Sequence, residues 1–309
     1  MGRAVFLATL GLALVLLPAS SAYVQFLVAT ILIYTLVAMS LTILTGFGGQ
    51  VSIGHAAFWA LGAYTTAILT PMSVPFIVTV VAGGVVAAAL GIVVALPALR
   101  VQGHYLAIAT LGFALFVQQV LYEWESLTGG RHGLFVERPN LFGFELTTDL
   151  AYCYFLIPTV LLFSWITDNL KRSHSGLALF ALKMSSTAAT SAGIDRARHL
   201  VLAFTVSAFF TGVSGALYAH LIGYLSTESF SLVTSLAFLT MAVIGGLGSS
   251  IGALLGAAYL TLAPEVMREL GSAQMVVYGL TLVLFLRFLP GGLASLPEAL
   301  TRAWRRRPR

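Results

Sequence analysis

GFGGQVSIGHAAFWALGAYTTAIL, residues 46–69, places glycine-rich polar sequence inside a chain that otherwise consists of long apolar runs, and His55 is its only candidate cation, with no carboxylate. Irregular backbone survives in hydrocarbon only where protein or a wet cavity covers its unpaired N–H and C=O groups. We therefore predict a helix that breaks inside the bilayer and turns backbone amides toward a solute, as discontinuous transporter helices do. The alternative is a tight loop between two helices, in which the glycines only let the chain turn.

A second glycine-rich segment matches the first when the sequence is shifted by 198 residues, the separation of Gly48 and Gly246. Paired interruptions in corresponding positions are the best sequence indication of a transporter's binding site. The two copies are predicted to cross the membrane in the same direction. The residues predicted to line the solute path are Gly46, Gly48, Gly49, Gln50, Ser52, Gly54 and His55 in the first copy and Gly246, Gly248, Ser250 and Gly252 in the second.

The composition is that of an integral membrane protein. Hydrophobic residues make up 59% of the chain and charged residues 9%, with a mean hydropathy of +0.96, whereas soluble domains carry about 25% charged residues. We predict one all-α domain over residues 1–309, a polytopic transmembrane helix bundle of about 8 to 10 spans with two Gly-rich broken helices. The candidate spans are 4–17, 24–44, 51–69, 75–97, 105–121, 150–167, 199–225, 232–262 and 274–289.

Two of these runs have alternative interpretations. The run 232–262 is too long for one crossing, so it is predicted to split within its glycine-rich part between Gly245 and Gly252. Residues 1–22 fit a cleavable signal peptide, with a basic residue, an apolar stretch and small residues at the end. We favour an uncleaved first helix, because another apolar run follows almost at once.

Loop charges predict the orientation, because cytoplasmic loops are enriched in lysine and arginine. The loop 168–198 has five basic and two acidic residues, and the tail 296–309 has five basic and one acidic. The loop 122–149 has five acidic and two basic residues. We therefore expect 168–198 and the tail in the cytoplasm, 122–149 outside, and both termini in the cytoplasm. The net charge of +5 is explained by this topology and by lipid headgroups rather than by a nucleic-acid partner.

The sequence disfavours several kinds of chemistry. The apolar spans contain no Asp or Glu, which proton-coupled transporters commonly need. Cys153 is the only cysteine, so no intrachain disulfide is available. Ser52 and His55 share a helix face but lack an orienting acid and an oxyanion site, so no catalytic residue and no metal site is predicted. His55 is either a packed, hydrogen-bonded histidine or a residue lining the path.

Energy must come from another chain. Lys171 and Lys183 are the only lysines, and neither lies in a phosphate-binding loop, so no nucleotide cofactor is expected on this chain. Residues 176–192 are predicted to form one cytoplasmic helix whose apolar positions, spaced by three or four, would dock in a partner's groove, with Gly193 as the stop signal. The alternative is an amphipathic helix lying on the bundle or on lipid. The apolar positions are Leu177, Phe180, Met184, Ala188 and Ala192.

Six blocks of sequence resemble, in family order, the LivM-type permease subunits of bacterial branched-chain amino acid ABC importers. The resemblance covers nearly the whole chain. The blocks are GFGGQVSIGHAAFWALGAY at 46–64, LRVQGHYLAIATLGFA at 99–114, TGGRHGL at 128–134, the loop 172–195, SAFFTGVSGALYAH at 207–220 and VIGGLGSSIGALLGAA at 243–258.

This resemblance implies an importer in the bacterial inner membrane, built from two permease chains, two cytoplasmic ATPases that hold ATP and Mg²⁺, and an extracytoplasmic binding protein. Gln50, Ser52, Gly54 and His55 match the family's path-forming block. In the family this loop docks on the ATPase, and Ala188, Ala189, Gly193, Ile194 and Asp195 match that pattern here. Together with Leu177, Phe180 and Met184, which come from the apolar spacing, they are the predicted coupling residues. The chain departs from the family, whose members usually carry acidic residues where this chain has Met184, Ser186 and Thr190 and basic residues where it has Leu177 and Phe180.

Three other functions stay open at this point. Related permeases import urea or short-chain amides, and the binding protein does most of the selecting. A stand-alone channel or facilitator would also use polar, interrupted helices but would have no need of a docking helix. A membrane enzyme is disfavoured, because the acidic cluster lies in the loop 122–149 without metal-ligand spacing.

Overall fold

The protein is described by a computed structural model that covers residues 16–101, 103–141, 144–146 and 148–268 continuously. It also covers positions 6, 9–11, 14, 277, 279–281, 283, 287 and 291–295. The predicted basic tail 296–309 lies outside these residues, as do most of the candidate span 274–289 and part of the candidate span 4–17. The predictions made for those segments stay predictions.

The described chain is overwhelmingly helical. A π-helix, Thr42–Phe47, continues the first α-helix without a break. The α-helices are α1 (Ala22–Leu41), α2 (His55–Leu69), α3 (Phe76–Ala98), α4 (His104–Glu123), α5 (Glu125–Thr128), α6 (Asp149–Arg172), α7 (His174–Met184), α8 (Ser186–Ser191), α9 (Arg196–Ile222), α10 (Leu232–Gly245) and α11 (Ser250–Val266). Short 3₁₀ turns span Leu17–Ala19, Thr70–Met72, Gly130–His132, Thr227–Phe230 and Leu293–Ser295.

Five helices are long and apolar enough to cross a membrane: α1 with its π-helical end, α3, α4, α6 and α9. The all-α membrane class is therefore confirmed. Helices α10 and α11 are shorter apolar helices, and α2 has 15 residues. The candidate run 51–69 becomes helical only at His55, and the run 232–262 forms two helices separated by 246–249. The count of 8 to 10 spans stays a prediction, since five of the described helices meet the length criterion.

The loop 122–149 contains strands of two small two-stranded sheets, one of which joins it to the chain just after the C-terminal end of α9. Strand β1 (Leu134–Phe135) pairs antiparallel with β4 (Tyr224–Leu225), and β2 (Asn140–Leu141) pairs with β3 (Phe144–Glu145). Nearby, Nδ1 of His220 lies 2.9 Å from the carbonyl oxygen of Glu137. The predicted outer loop is thus attached to the last turn of the longest helix.

Helices α2, α3 and α9 form the centre of the bundle and approach each other through small residues. A methyl group added at Gly83 of α3 would lie 2.8 Å from the carbonyl oxygen of Gly62 on α2 and 3.2 Å from Cβ of Ala216 on α9. One added at Gly212 of α9 would lie 2.5 Å from Cβ of Ala87 on α3. Membrane helices lack a hydrophobic drive to associate, so such small-residue contacts let dispersion and hydrogen bonding act at short range.

Gly212→Ala is expected to destabilise the bundle. The added methyl would overlap Cβ of Ala87 and lie 2.7 Å from the carbonyl oxygen of Gly83, which cannot move away easily. Overpacking of this kind costs about 1–3 kcal/mol. The matched control is Gly112→Ala on α4, where an added Cβ meets no described atom within 4 Å and alanine favours the helix by up to about 1 kcal/mol. Thermal unfolding in detergent measures both, and equal midpoints for the two variants would contradict the packing described here.

Candidate functional site

The first glycine segment leaves the π-helical end of α1 with its carbonyl groups bound by side chains. Nζ of Lys183 donates to the carbonyl oxygen of Gly46 at 2.7 Å. Nε2 of Gln50 donates to the carbonyl of Gly48 at 3.0 Å, and the Thr45 hydroxyl donates to the carbonyl of Gln50 at 2.9 Å. Because a helix end has no internal partners for its last carbonyl groups, these side chains allow the helix to stop here inside the protein.

Two independent features of the structure require glycine at position 49. Its φ of +66° lies in the left-handed region, which L side chains rarely adopt. A Cβ at this position would also lie 2.8 Å from Cγ of Lys183. The absence of a side chain therefore lets the stem of Lys183 pass over residue 49 on its way to the carbonyl group of Gly46.

The second half of the segment has its amides bound by hydroxyl groups. A buried amide without a partner carries a desolvation penalty of about 1–3 kcal/mol, and the bundle supplies acceptors from other elements. The amides donate as follows: Ile53 to Oγ1 of Thr110 at 3.0 Å, Gly54 to Oγ of Ser52 at 3.3 Å, and Ala56 to Oγ of Ser235 at 3.0 Å. Serine and threonine hydroxyls therefore occupy these three donors in this conformation, and the role of the segment in facing a solute stays a prediction.

His55 begins α2 in the interior of the bundle. Its Nε2 lies 3.0 Å from Oγ of Ser207, near the middle of α9, so α2 starts at about half the length of that helix. The ring is 1% exposed, and Nδ1 has no hydrogen-bond partner among the described residues. His55 therefore pairs with Ser207 rather than with Ser52, which accepts from Gly54. The bonded Nε2 fits the interpretation of a packed histidine, and Nδ1 is able to bind a further partner.

The second glycine segment, 246–249, links α10 to α11 through two residues with positive φ, Gly246 at +107° and Gly248 at +112°. Nζ of Lys171 donates to the carbonyl of Gly248 at 2.8 Å. Oγ of Ser249 accepts from the amide of Gly252 at 3.0 Å and so caps α11. The side chain of Ser250 lies 3.4 Å from Oδ1 of Asp168. The side-chain hydrogen bonds of this turn are thus made locally or with the end of α6, and Gly246 also packs against Gly291.

The structure brings the two predicted sets of path residues into contact. A Cβ added at Gly46 would lie 3.2 Å from the amide nitrogen of Gly248 and 3.6 Å from its Cα. Two cavities of about 680 and 250 Å³ open beside this contact, the first lined by Lys171 and Gly248 and the second by Gly49 and Lys183. The start of the first segment and the whole second segment therefore lie on the side of the 168–198 loop. Ser52 and His55 lie deeper, and each is only 1% exposed.

The prediction of one helix over 176–192 is wrong. Two helices, α7 and α8, meet at Ser185, whose extended backbone (φ −158°, ψ 106°) ends the first. The Ser185 hydroxyl accepts from the amide of Ala188 at 3.3 Å and thereby caps the second helix. Serine offers this local bond as an alternative to continuing the helix, and the apolar spacing of the segment carried no sign of it.

The predicted coupling residues of these helices divide into exposed and packed positions. Leu177 is 59% exposed and Met184 is 85% exposed. Phe180 instead packs on Phe47, with ring centroids 5.1 Å apart, and Ala189 is buried while Ala188 is exposed. Leu177, Met184 and the small Ala188 are therefore the exposed apolar side chains of this set, and the first two are the large ones.

The turn after α8 accounts for three more of the predicted coupling residues. Gly193 has a φ of +86°, as expected for a stop signal. The amide of Ile194 donates to the carbonyl of Ala189 at 3.1 Å, and Oδ1 of Asp195 accepts from the amide of Arg198 at 3.1 Å. These residues shape the turn and cap α9, and any contact with a partner would be additional.

Sequence reasoning missed the residues that hold the site together. Thr110, Ser207 and Ser235 supply the hydroxyl groups inside the bundle, and Lys171 and Lys183 bind the glycine carbonyls. The one available signal was the scarcity of lysine, since both lysines of the chain lie in or beside the same loop. Serine and threonine are too common in apolar helices to be singled out individually.

Metal ligands do not gather in the described part of the chain, where no group of three or more His, Cys, Asp or Glu residues lies together. That the chain binds no metal or nucleotide stays a prediction.

Comparison with known proteins places these features in a family. Residues 23–286 match the family described as branched-chain amino acid transport system / permease component. The chain is 32% identical over 85% of its length to the high-affinity branched-chain amino acid permease protein LivM of Salmonella typhimurium and of Escherichia coli, covering 68% of each. It is 25% identical over 86% of its length to the permease protein BraD of Pseudomonas aeruginosa, covering 92% of it. No solved structure matches the chain significantly.

Thr110→Val is expected to destabilise the first segment, because it removes the acceptor of the Ile53 amide. Leaving that amide unpaired costs about 1–3 kcal/mol, whereas Thr110→Ser keeps the acceptor. Thr159→Val is the control, since its hydroxyl bonds only the Phe155 carbonyl of its own helix. Thermal unfolding in detergent compares the three variants, and an equal loss for Thr110→Val and Thr159→Val would show that the inter-helix bond is unimportant.

Proposed function

The chain belongs to the family of branched-chain amino acid transport system permease components, and we propose that it serves as the membrane-spanning permease subunit of an ATP-driven importer. Its proposed substrates are branched-chain or other aliphatic amino acids. The proposed role of this chain is transport, with no chemical reaction catalysed on it. ATP and Mg²⁺ would bind to separate ATPase subunits.

The observation that carries this proposal is the start of α2 in the middle of the bundle. Its N-terminal region presents amides held by the side-chain hydroxyls of Thr110 and Ser235, which belong to α4 and α10. A helix N-terminus favours anions, because its backbone N–H groups and dipole point toward them. A substrate carboxylate could replace these hydroxyls as the acceptor without leaving any amide unpaired. The site would then alternate between an occupied and a self-satisfied state.

The side chain of an aliphatic substrate would need an apolar surface next to this point. Phe58, one turn into α2, lies at right angles to the His55 ring with centroids 6.1 Å apart and packs on Phe113 of α4 at 5.2 Å. Phe113 follows Thr110 by three residues on α4, and the Thr110 hydroxyl accepts from the Ile53 amide. We therefore place the proposed path along the α2–α4 contact, with the glycine segments at its cytoplasmic end.

The proposed partners follow from the faces of the bundle. The loop 168–198 would lie in the cytoplasm and contact an ATPase through the exposed Leu177 and Met184. A sister permease would complete the membrane unit in the bacterial inner membrane, and a binding protein would deliver substrate to the outer loop 122–149. We propose no nucleic-acid partner.

Two alternatives are separated by one experiment. Co-expression with candidate ATPase and sister permease chains, purification and reconstitution with the binding protein would test for ATP-dependent uptake of labelled leucine. We expect uptake that requires ATP and every subunit. Uptake of urea or short amides instead of leucine would identify the related permease type. Solute flux through this chain alone, without ATP, would replace the proposal with a channel.

Gly193→Pro is expected to uncouple ATP hydrolysis from uptake while the spans still assemble. Proline fixes φ near −65°, whereas residue 193 requires +86°, and it removes the amide that donates to Thr190. The control is Gly193→Asn, because asparagine tolerates the left-handed conformation. Uptake per ATP in proteoliposomes should fall several-fold for the proline variant only. Normal coupling in that variant would contradict a role of this turn in coupling.

A further inference from the structure

Lys183 connects the predicted coupling segment to the end of the first transmembrane helix. It is the last residue but one of α7, and its ammonium group donates to Gly46 across 137 positions of sequence. The other carbonyl groups near this helix end are bound within the segment itself, by Gln50 and Thr45. The contact with Gly46 is therefore the one polar bond described between α7 and the first glycine segment.

Lys171 makes the equivalent contact with the second glycine segment. It lies in the last turn of α6, immediately before α7, and donates to Gly248 across 77 positions of sequence. The two ammonium groups thus bind the two segments that the internal repeat relates. The chain has no third lysine.

The four residues Lys183, Gly46, Gly248 and Lys171 form a continuous arrangement, which we call the lysine–glycine cluster. The glycines touch each other in the middle, and one lysine binds each from outside. Gly49 admits the stem of Lys183, as described above. Lys183 lies at the end of α7 and Lys171 in the last turn of α6. A tilt of α7 relative to α6 would therefore move Lys183 and the Gly46 carbonyl that it binds against Gly248, which Lys171 binds from α6.

We infer that the lysine–glycine cluster is the mechanical link through which movement of the α7 helix reaches both glycine segments during transport. This inference rests on the proposed function and adds positioning residues to it, Lys171 and Lys183. The ammonium group suits this task because it is a point charge on a flexible stem with three donors, and it can follow a moving carbonyl group. The carbonyl end of a helix also carries partial negative charge, which strengthens the contact.

Coupling in proteoliposomes containing the full transporter tests the link. Lys183→Met and Lys171→Met are expected to keep ATP hydrolysis and subunit assembly. Each should lower uptake per ATP by about fivefold or more, a factor that corresponds to the lower end of typical coupling free energies. Lys183→Arg keeps a donor and should retain most of the coupling. Gly49→Ala, which keeps the lysine but displaces its stem, should reproduce the loss seen with Lys183→Met.

Arg172→Met is the matched control. Arg172 adjoins Lys171, is exposed, and makes no described hydrogen bond to either glycine segment, so the variant removes the same charge without touching the cluster. Full coupling in both lysine-to-methionine variants, or an equal loss in Arg172→Met, would overturn the inference.

A second measurement reads the cluster without relying on uptake. Amine-selective labelling followed by peptide mass spectrometry reports the two lysines separately, because the chain has no other ε-amino group. We expect both lysines to change their labelling rate together between the nucleotide-free transporter and one trapped with ATP analogue. Unchanged rates in a transporter that performs ATP-driven uptake would overturn the link alone. A wild-type assembly without ATP-driven uptake would overturn the proposed function itself.

Discussion

The architecture depends on the need to satisfy every backbone polar group in the absence of water. Between the π-helical end of α1 and the start of α2 the chain is not helical, so its amides and carbonyls need partners from elsewhere. The carbonyl half is served by a lysine, a glutamine and a threonine, and the amide half by three hydroxyl groups. Thr45, Gln50 and Ser52 lie in or beside the segment itself, and the other three partners, Lys183, Thr110 and Ser235, come from three other helices. The segment can adopt its shape only when the helices that supply those partners are already in position.

Close packing by small residues brings two of the hydroxyl groups of the bundle within reach, those of Ser207 and Thr110, the second through Gly54, where an added Cβ would lie 2.9 Å from the Thr110 carbonyl oxygen. Helices α2, α3 and α9 approach until a single methyl group would cause overlap, as at Gly83 and Gly212. At such short separations a serine or threonine hydroxyl, which extends little beyond its backbone, can reach a neighbouring helix. The glycine residues that allow helices to approach closely therefore also allow short hydroxyl side chains to form hydrogen bonds between them. Aromatic residues fill the space that remains; for example, the ring centroids of Trp59 and Tyr218 are 4.3 Å apart.

Much of this arrangement could be predicted from sequence, because its causes are local. Composition indicates a membrane protein, apolar runs indicate most helices, and Gly193 indicates a helix end. The pairings of Ile53 with Thr110, of His55 with Ser207 and of Ala56 with Ser235 could not be predicted, since they join residues 57, 152 and 179 positions apart. The division of 176–192 at Ser185 was missed for a different reason. Apolar spacing reports which side of a helix is buried and is insensitive to a one-residue interruption by a side-chain cap.

Helix α9 has a consequence for communication between the two surfaces of the protein. It is 27 residues long, or about 40 Å at 1.5 Å per residue. Asp195 caps the N-terminal end of α9, next to the turn that follows α8. Ser207, near the centre of α9, contacts His55 at the start of α2. Strand β4, just after the C-terminal end, pairs with β1 of the loop 122–149. Under the proposed topology, one continuous helix would join the surface proposed to receive substrate to the surface proposed to contact the ATPase, so arrival of substrate on one side would be communicated to the other without intermediate segments.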